Sequence, residues 1–317
     1  MIVSIGEPLI EFNQTRRGQP RYLQGFGGDT SNMSVAAARS GARVAYVTRV
    51  GDDEFGRMFL GLWKREGVDT RAVSIDRNAP TGVYFVTHGA QGHAFSYLRA
   101  GSAASRMRPQ DLPGKLIAKA AFVHASGISM AISASASDTV LAAFDRARSS
   151  GAKVSFDSNL RLKLWPLARA RAMIGAAAAL ADYFFPSLED AEALSGKKAA
   201  AANLEWAHRL GAKIVFLKLG AGGVLASDGA KQEHIPGIRL KAVDATGAGD
   251  CFCGATLARL AAGDSIWAAA RYANAAAAIA TTGFGAVDPL PRPRAVRALL
   301  ASARLTAVKE YPPRRKR

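Results

Sequence analysis

Short apolar runs alternate with longer amphipathic stretches along almost the whole chain. The runs at 2–6, 44–50, 121–125, 154–157, 183–186, 214–219 and 224–227 read as strands. The stretches near 31–40, 56–66, 135–149, 167–181, 188–194 and 201–210 read as helices, and two more follow at 250–262 and 265–282. Such alternation predicts an α/β fold with a mostly parallel sheet covered on both faces. One region breaks the rhythm. Residues 81–88 and 93–99 flank Gly89-Ala90-Gln91-Gly92 and read as a β-hairpin, while 11–26 lacks a helical pattern. Together these segments, near 11–26 and 81–100, predict a small sheet standing off the main one, suited to covering a bound substrate and excluding water. With no internal repeat and no low-complexity linker, residues 1–317 are expected to form one domain, ending in a basic tail at 312–317.

Composition narrows the class. A chain of 317 residues is ample for a sizeable core. Its apolar runs near 176–181 and 275–282 are Ala-rich and too short to cross a membrane. The sequence opens on a strand with no basic leader, so the expected location is cytoplasmic. Cys251 and Cys253 are two apart on a predicted helix and point about 200° from each other. They are poor disulfide partners, and no further cysteine is present to complete a zinc site with them. Both read as packing residues. The five histidines, among them His88, His93 and His124, show no ligand spacing and read as structural or exposed. The formal charge of +17 comes from scattered Lys and Arg, dense only at Arg314-Arg315-Lys316-Arg317. No nucleic-acid motif accompanies it, so the basic surface points to a small polyanion rather than to DNA or RNA.

The chemistry concentrates in Asp244-Ala245-Thr246-Gly247-Ala248-Gly249-Asp250. Gly247, Ala248 and Gly249 are small enough for backbone N–H groups to converge, and the apolar run behind them puts those groups at a helix N-terminus, where a phosphate is favoured. Asp250 is expected at the first helical position. There a carboxylate can take a proton from an alcohol while the backbone neutralises a transferring phosphoryl group. A plain helix cap by Asp250 is the competing reading. No G-x-x-x-x-G-K-[ST] occurs and no G-x-G-x-x-G follows the first strand, so neither a P-loop enzyme nor a dinucleotide site is supported.

A second motif, Gly27-Gly28-Asp29-Thr30-Ser31-Asn32, precedes Ala36-Ala37-Ala38-Arg39-Ser40-Gly41 and Val50-Gly51-Asp52-Asp53-Glu54-Phe55-Gly56. With the late motif in this order, the chain resembles the ribokinase-like (PfkB) family of sugar kinases over almost its whole length. Within that family it is most similar to the 2-keto-3-deoxygluconate kinases, through 27–32, 97–105 and 156–165. The resemblance implies a three-layer α/β sandwich with a small β lid. It implies transfer of the ATP γ-phosphoryl to the 6-hydroxyl of the sugar acid, with Mg²⁺ required and a monovalent cation left open.

Roles follow from the same resemblance. Asp250 would be the base, with Gly247, Ala248 and Gly249 as the anion hole. Gly28 and Asn32 would contact the sugar, with Asp29 an alternative helix cap. Tyr84 and Tyr97 would cover the sugar. Arg99, two residues from Tyr97 on one strand face, and Arg161 would meet the acid group. Asp288 would also touch substrate. Asn159, Ser187, Lys218, Gly220, Gly222 and Gly223 would line the nucleotide, with Asn274 on its adenine side; an ordinary hairpin turn with Lys218 facing solvent competes at 218–223. Many relatives carry Asn-x-x-Glu for magnesium, but here Ser187 and Asp190 occupy the end positions, so the metal ligands are unassigned between Glu189 and Asp190. The rival readings are a family member acting on fructose, 5-keto-2-deoxygluconate or a nucleoside, and a non-catalytic, nucleic-acid-associated homologue. An exposed lid edge further predicts a homo-oligomer formed by sheet pairing.

Overall fold

The computed structural model describes residues 1–89 and 92–302. The basic tail at 312–317 and the centre of the hairpin connection at 90–91 lie outside the described residues. The strands are β1 Ile2–Ile5, β2 Leu9–Gln14, β3 Tyr22–Gly27, β4 Val44–Gly51, β5 Val73–Asp76, β6 Gly82–Gly89, β7 Gly92–Leu98, β8 Phe122–Ser126, β9 Lys153–Asp157, β10 Tyr183–Phe184, β11 Ile214–Lys218, β12 Gly223–Ser227 and β13 Gln232–Pro236. The helices are α1 Asp29–Arg39, α2 Glu54–Glu66, α3 Gly114–Ala118, α4 Gly127–Ala131, α5 Ala134–Ser149, α6 Leu167–Leu180, α7 Leu188–Ser195, α8 Ala200–Leu210, α9 Ala248–Ala261, α10 Ile266–Ala280 and α11 Pro293–Ser302.

Nine strands form the large sheet in the order β13-β12-β11-β10-β9-β8-β1-β4-β5. Pairing is parallel from β11 to β5 and antiparallel only at β11–β12–β13. Side chains alternate between two cores. Val44 and Tyr46 join one cluster with α1, α2, α9, α10 and α11; Ala45 and Val47 join the other with α3 through α8. Burial on both faces is why the central strands read as mostly apolar runs without a regular polar alternation.

Four strands form the second sheet, in the order β3-β2-β6-β7. Its β2–β6 pairing is parallel, between two antiparallel hairpins. They fall in the two segments, near 11–26 and 81–100, expected to form the small sheet; only the second was expected as a hairpin. β1 runs into β2 through Gly6-Glu7-Pro8, and the proline, which favours extended backbone before it and cannot donate, ends the first strand and starts the second in another sheet.

The pattern reading missed β5 and β13 because both are edge strands, short and partly solvent-facing. It also missed α3, α4 and α11. No helix among the described residues is long and apolar enough to cross a membrane.

Helices α1 and α9 pack closely enough that a Cβ on Gly254 would lie 2.4 Å from the Met33 carbonyl oxygen and 2.9 Å from the Ala37 nitrogen. Those are backbone atoms, which cannot step aside. Gly254→Ala is therefore expected to destabilise the protein by about 1–3 kcal/mol in chemical denaturation, despite alanine's better helix propensity.

Candidate active site

Gly247 adopts φ 76 and N-caps α9, a conformation suited to glycine. The first intrahelical bond there is Cys251 N–H to the Gly247 carbonyl, 2.8 Å, and the Ala248 amide donates back to the Ala245 carbonyl at 3.2 Å; the amides of Gly249 and Asp250 are left without a helical partner at the positive end of the helix. Asp250 is the third helical residue, not the first as expected. Nor is it the cap, since Gly247 fills that place without a side chain.

α1 starts in the same way. Gly28 caps it at φ 94, and a Cβ there would meet the Glu7 carbonyl oxygen at 2.3 Å. Asp29 is thus the first helical residue rather than the cap. One turn on, Asn32 donates through Nδ2 to Asp250 Oδ2 at 2.8 Å. Its own Oδ1 is buried without a hydrogen-bond partner.

The ends of β9 and β11 complete the floor of the site. Asn159 is the one non-glycine among the described residues with positive φ, 28, and donates to Asp29 at 2.8 Å. Asp157 accepts from Lys218 Nζ with both oxygens at 2.8 Å and from Cys253 Sγ at 3.4 Å. Lys218 therefore faces inward rather than toward solvent. A Cβ on Gly249 would sit 3.5 Å from its Nζ, so the ammonium lies against the first turn of α9.

These groups line a cleft of about 1400 Å³ that opens beyond the carboxyl ends of the parallel strands, where open α/β sheets bind ligands. Gly28, Asn32, Tyr84, Tyr97, Arg99, Asn159, Arg161, Ser187, Lys218, Gly220, Gly223, Gly247, Ala248, Gly249, Asp250 and Asn274 all border it. Two expected residues do not. Gly222 turns away, its carbonyl accepting from His234 at 2.9 Å. Asp288 is exposed and borders a separate small hollow with Glu11 and Phe284.

Other side chains have partners that the sequence did not show. Ser187 caps α7, accepting from the Asp190 amide at 3.0 Å. Asp190 accepts from Ser158 Oγ and the Leu160 amide. Asn274 donates to the Pro236 carbonyl at 2.8 Å. Tyr84 is buried, donates to Glu11 and stacks on Tyr97 at 5.7 Å. Leu98 points out, 67% exposed. Arg99 needs the largest revision. Its guanidinium is paired with Glu7, whose side chain is fully buried and also accepts from Ser102. The expected bidentate grip of Arg99 on a substrate carboxylate meets a cation already neutralised, although Arg99 Nε stays buried and unpartnered. Arg161 is exposed at the cleft wall, where it donates to the neighbouring Leu160 carbonyl at 2.9 Å.

Burial pushes the Asp250 carboxyl up to about 7, with Asp29 and Asp157 adding to the effect and Asn32 and Lys218 opposing it. Burial alone would lower Lys218, but Asp157 outweighs it and keeps the ammonium charged. Burial holds His124 down to about 3, helped by Lys218. His124 is neutral and bonds Ser155 at 2.8 Å, a structural role as expected. Cys251 and Cys253 are free and buried in the α9 core, also as expected. Among the described residues no group of three or more His, Cys, Asp and Glu could hold a metal ion directly.

The sequence profile described as pfkB family carbohydrate kinase matches residues 1–293, and the chain belongs to that family. It is 34% identical over 308 residues to a 2-dehydro-3-deoxygluconokinase of Thermoproteus tenax, covering 94% of each chain. It is also 34% identical to a probable fructokinase-3 of Arabidopsis thaliana, covering 92% of this chain and 88% of that one. Among solved structures it resembles a putative ribokinase II from E. coli in complex with ATP and Mg²⁺, at TM-score 0.88 and 26% identity, covering 95% and 98%. The fold is ribokinase-like, with the small sheet as lid, and the chain is a carbohydrate kinase of a family that uses ATP and Mg²⁺.

The raised Asp250 carboxyl has a consequence for stability. Unfolded, it ionises near 3.8; folded, near 7. Folding takes up a proton between these values, so this group's contribution falls as pH rises and is fully lost above the folded value. Asp250→Asn is therefore expected to melt at a higher temperature than the parent at about pH 8, with the difference closing below about pH 4.

Proposed function

We propose that the protein is an ATP-dependent sugar-acid kinase that phosphorylates the 6-hydroxyl of 2-keto-3-deoxygluconate. The observation that carries the chemistry is Asp250, held by Asn32 beside the first-turn amides of α9, of which those of Gly249 and Asp250 have no helical partner. A carboxylate that ionises near neutrality is suited to accept the proton of an attacking hydroxyl. The amides of Gly249 and Asp250 stabilise charge on the transferring phosphoryl group. The unpartnered Asn32 Oδ1 offers an acceptor to a sugar hydroxyl next to the base, and Gly28 lets the polyol approach the backbone. Tyr84 and Tyr97 wall the sugar from the lid side.

ATP lies along Asn159, Lys218 and the Gly220–Gly223 turn toward Asn274. Mg²⁺ keeps several waters, so outer carboxylates suffice to hold it. Glu189 and Asp190 border the cleft on the first turn of α7 and fit such an ion. When bound it neutralises charge on the phosphates.

The acid group of the substrate is assigned to Arg161, with Arg99 Nε as a second donor. The likeness to the Thermoproteus tenax enzyme supports this substrate. The Glu7–Arg99 pair favours a second reading, a neutral ketose such as fructose, because it removes one of the two cations expected to meet a carboxylate.

A panel of 2-keto-3-deoxygluconate, fructose, ribose and adenosine, with Mg-ATP, separates the two readings by ADP release. Turnover of the keto-deoxy acid, abolished in Asp250→Asn, is the expected result. kcat/KM should rise with pH through about 7, because only the ionised base is active. Arg161→Ala should raise KM for the sugar acid by about 10–100-fold, the worth of one charge-assisted contact, and leave a neutral sugar little changed. Turnover of fructose alone would remove the sugar-acid assignment and keep the base.

A further inference from the structure

Lys218 and Asp157 form an ion pair with side chains only 16% and 5% exposed. Burying such a pair is weak support for stability, since two charges leave water for one attraction. Asp157 also has other donors, the Asn159 amide at 3.2 Å and Cys253 Sγ. The ammonium has three N–H donors, of which two go to Asp157. The pair does not sit in an anonymous part of the core. It borders the cleft, and Nζ lies against Gly249 in the first turn of α9.

We propose that Lys218 is a catalytic residue of the phosphoryl transfer, held in place by Asp157 and donating to a non-bridging γ-phosphoryl oxygen of the nucleotide. This rests on reading the α9 N-terminus as the phosphoryl site. In the step itself the sugar hydroxyl oxygen forms a bond to the γ-phosphorus as the bond to the β,γ-bridging oxygen breaks. The electron pair leaves with ADP, and the hydroxyl proton passes to Asp250. Lys218 forms no covalent bond and remains an ammonium throughout, its charge secured by Asp157. Asp157 is a positioning residue: it fixes where the cation stands.

The test reads the nucleotide, so it does not depend on which sugar is the substrate. Equilibrium binding of Mg-ATP and Mg-ADP is measured for the parent and for Lys218→Met. A γ-specific contact predicts that the preference for ATP over ADP falls by at least about tenfold, while kcat falls by about 10²–10³ and KM for the sugar stays within a few-fold. A smaller change in the preference, or equal loss of both nucleotides, overturns the proposal. If Lys218→Met does not fold because Asp157 is left buried and unpaired, the double variant Asp157→Asn/Lys218→Met carries the same measurement with both charges removed. Failure of the underlying reading shows separately, as turnover that survives Asp250→Asn.

Discussion

Three carboxylates, Asp29, Asp157 and Asp250, converge at the carboxyl edge of the large sheet with one lysine among them. This crowding is the constraint that the rest of the site answers. Each carboxylate has a dedicated donor: Asn159 for Asp29, Lys218 for Asp157 and Asn32 for Asp250. The donors are unequal, and the inequality divides the roles. A full cation secures Asp157, whereas Asp250 receives only a neutral amide and carries the raised proton affinity. Like charges a short way off favour the neutral form, and a carboxyl lifted toward neutrality is poised to exchange a proton.

The scaffold holds these groups together by close backbone approach. Gly254 lets α9 lie against α1, which sets the distance over which Asn32 meets Asp250. Gly28 and Gly247 turn the chain into those two helices with positive φ, so both N-termini open on the same cleft. Asn159 reaches its left-handed conformation without being glycine. A strained residue of that kind persists where its surroundings over-determine it, and here the bonds to Asp157 and Asp29 do so.

Much of this was legible in the chain, for reasons of range. The central strands announce themselves because burial on both faces leaves few polar positions. The 244–250 turn announces itself because its glycines, its helix and its carboxylate are neighbours in sequence. The edge strands β5 and β13 were hidden because an exposed edge relaxes the same pattern. The pairings were hidden because they are tertiary. Asn32 and Asp250 are 218 positions apart, Glu7 and Arg99 are 92 apart, and Asp157 and Lys218 are 61 apart. Nothing local to Arg99 says that its charge is already taken. The one sequence signal for Glu7 is its place, just beyond the carboxyl end of β1, where functional side chains of such sheets gather.

That pairing changes how charge is distributed over the cleft. A free Arg99 under the lid would make the sugar end strongly cationic, and any anion would be drawn to it. With Glu7 fully buried against it, the pair is neutral overall, and what remains is direction: an unpaired Nε donor at a fixed place. Neutral but directional groups discriminate by geometry, whereas a free cation such as Arg161 at the wall attracts by charge. Attraction and selection are thereby lodged in different arginines. The charge that draws a substrate in need not be the group that decides which hydroxyl reaches Asp250.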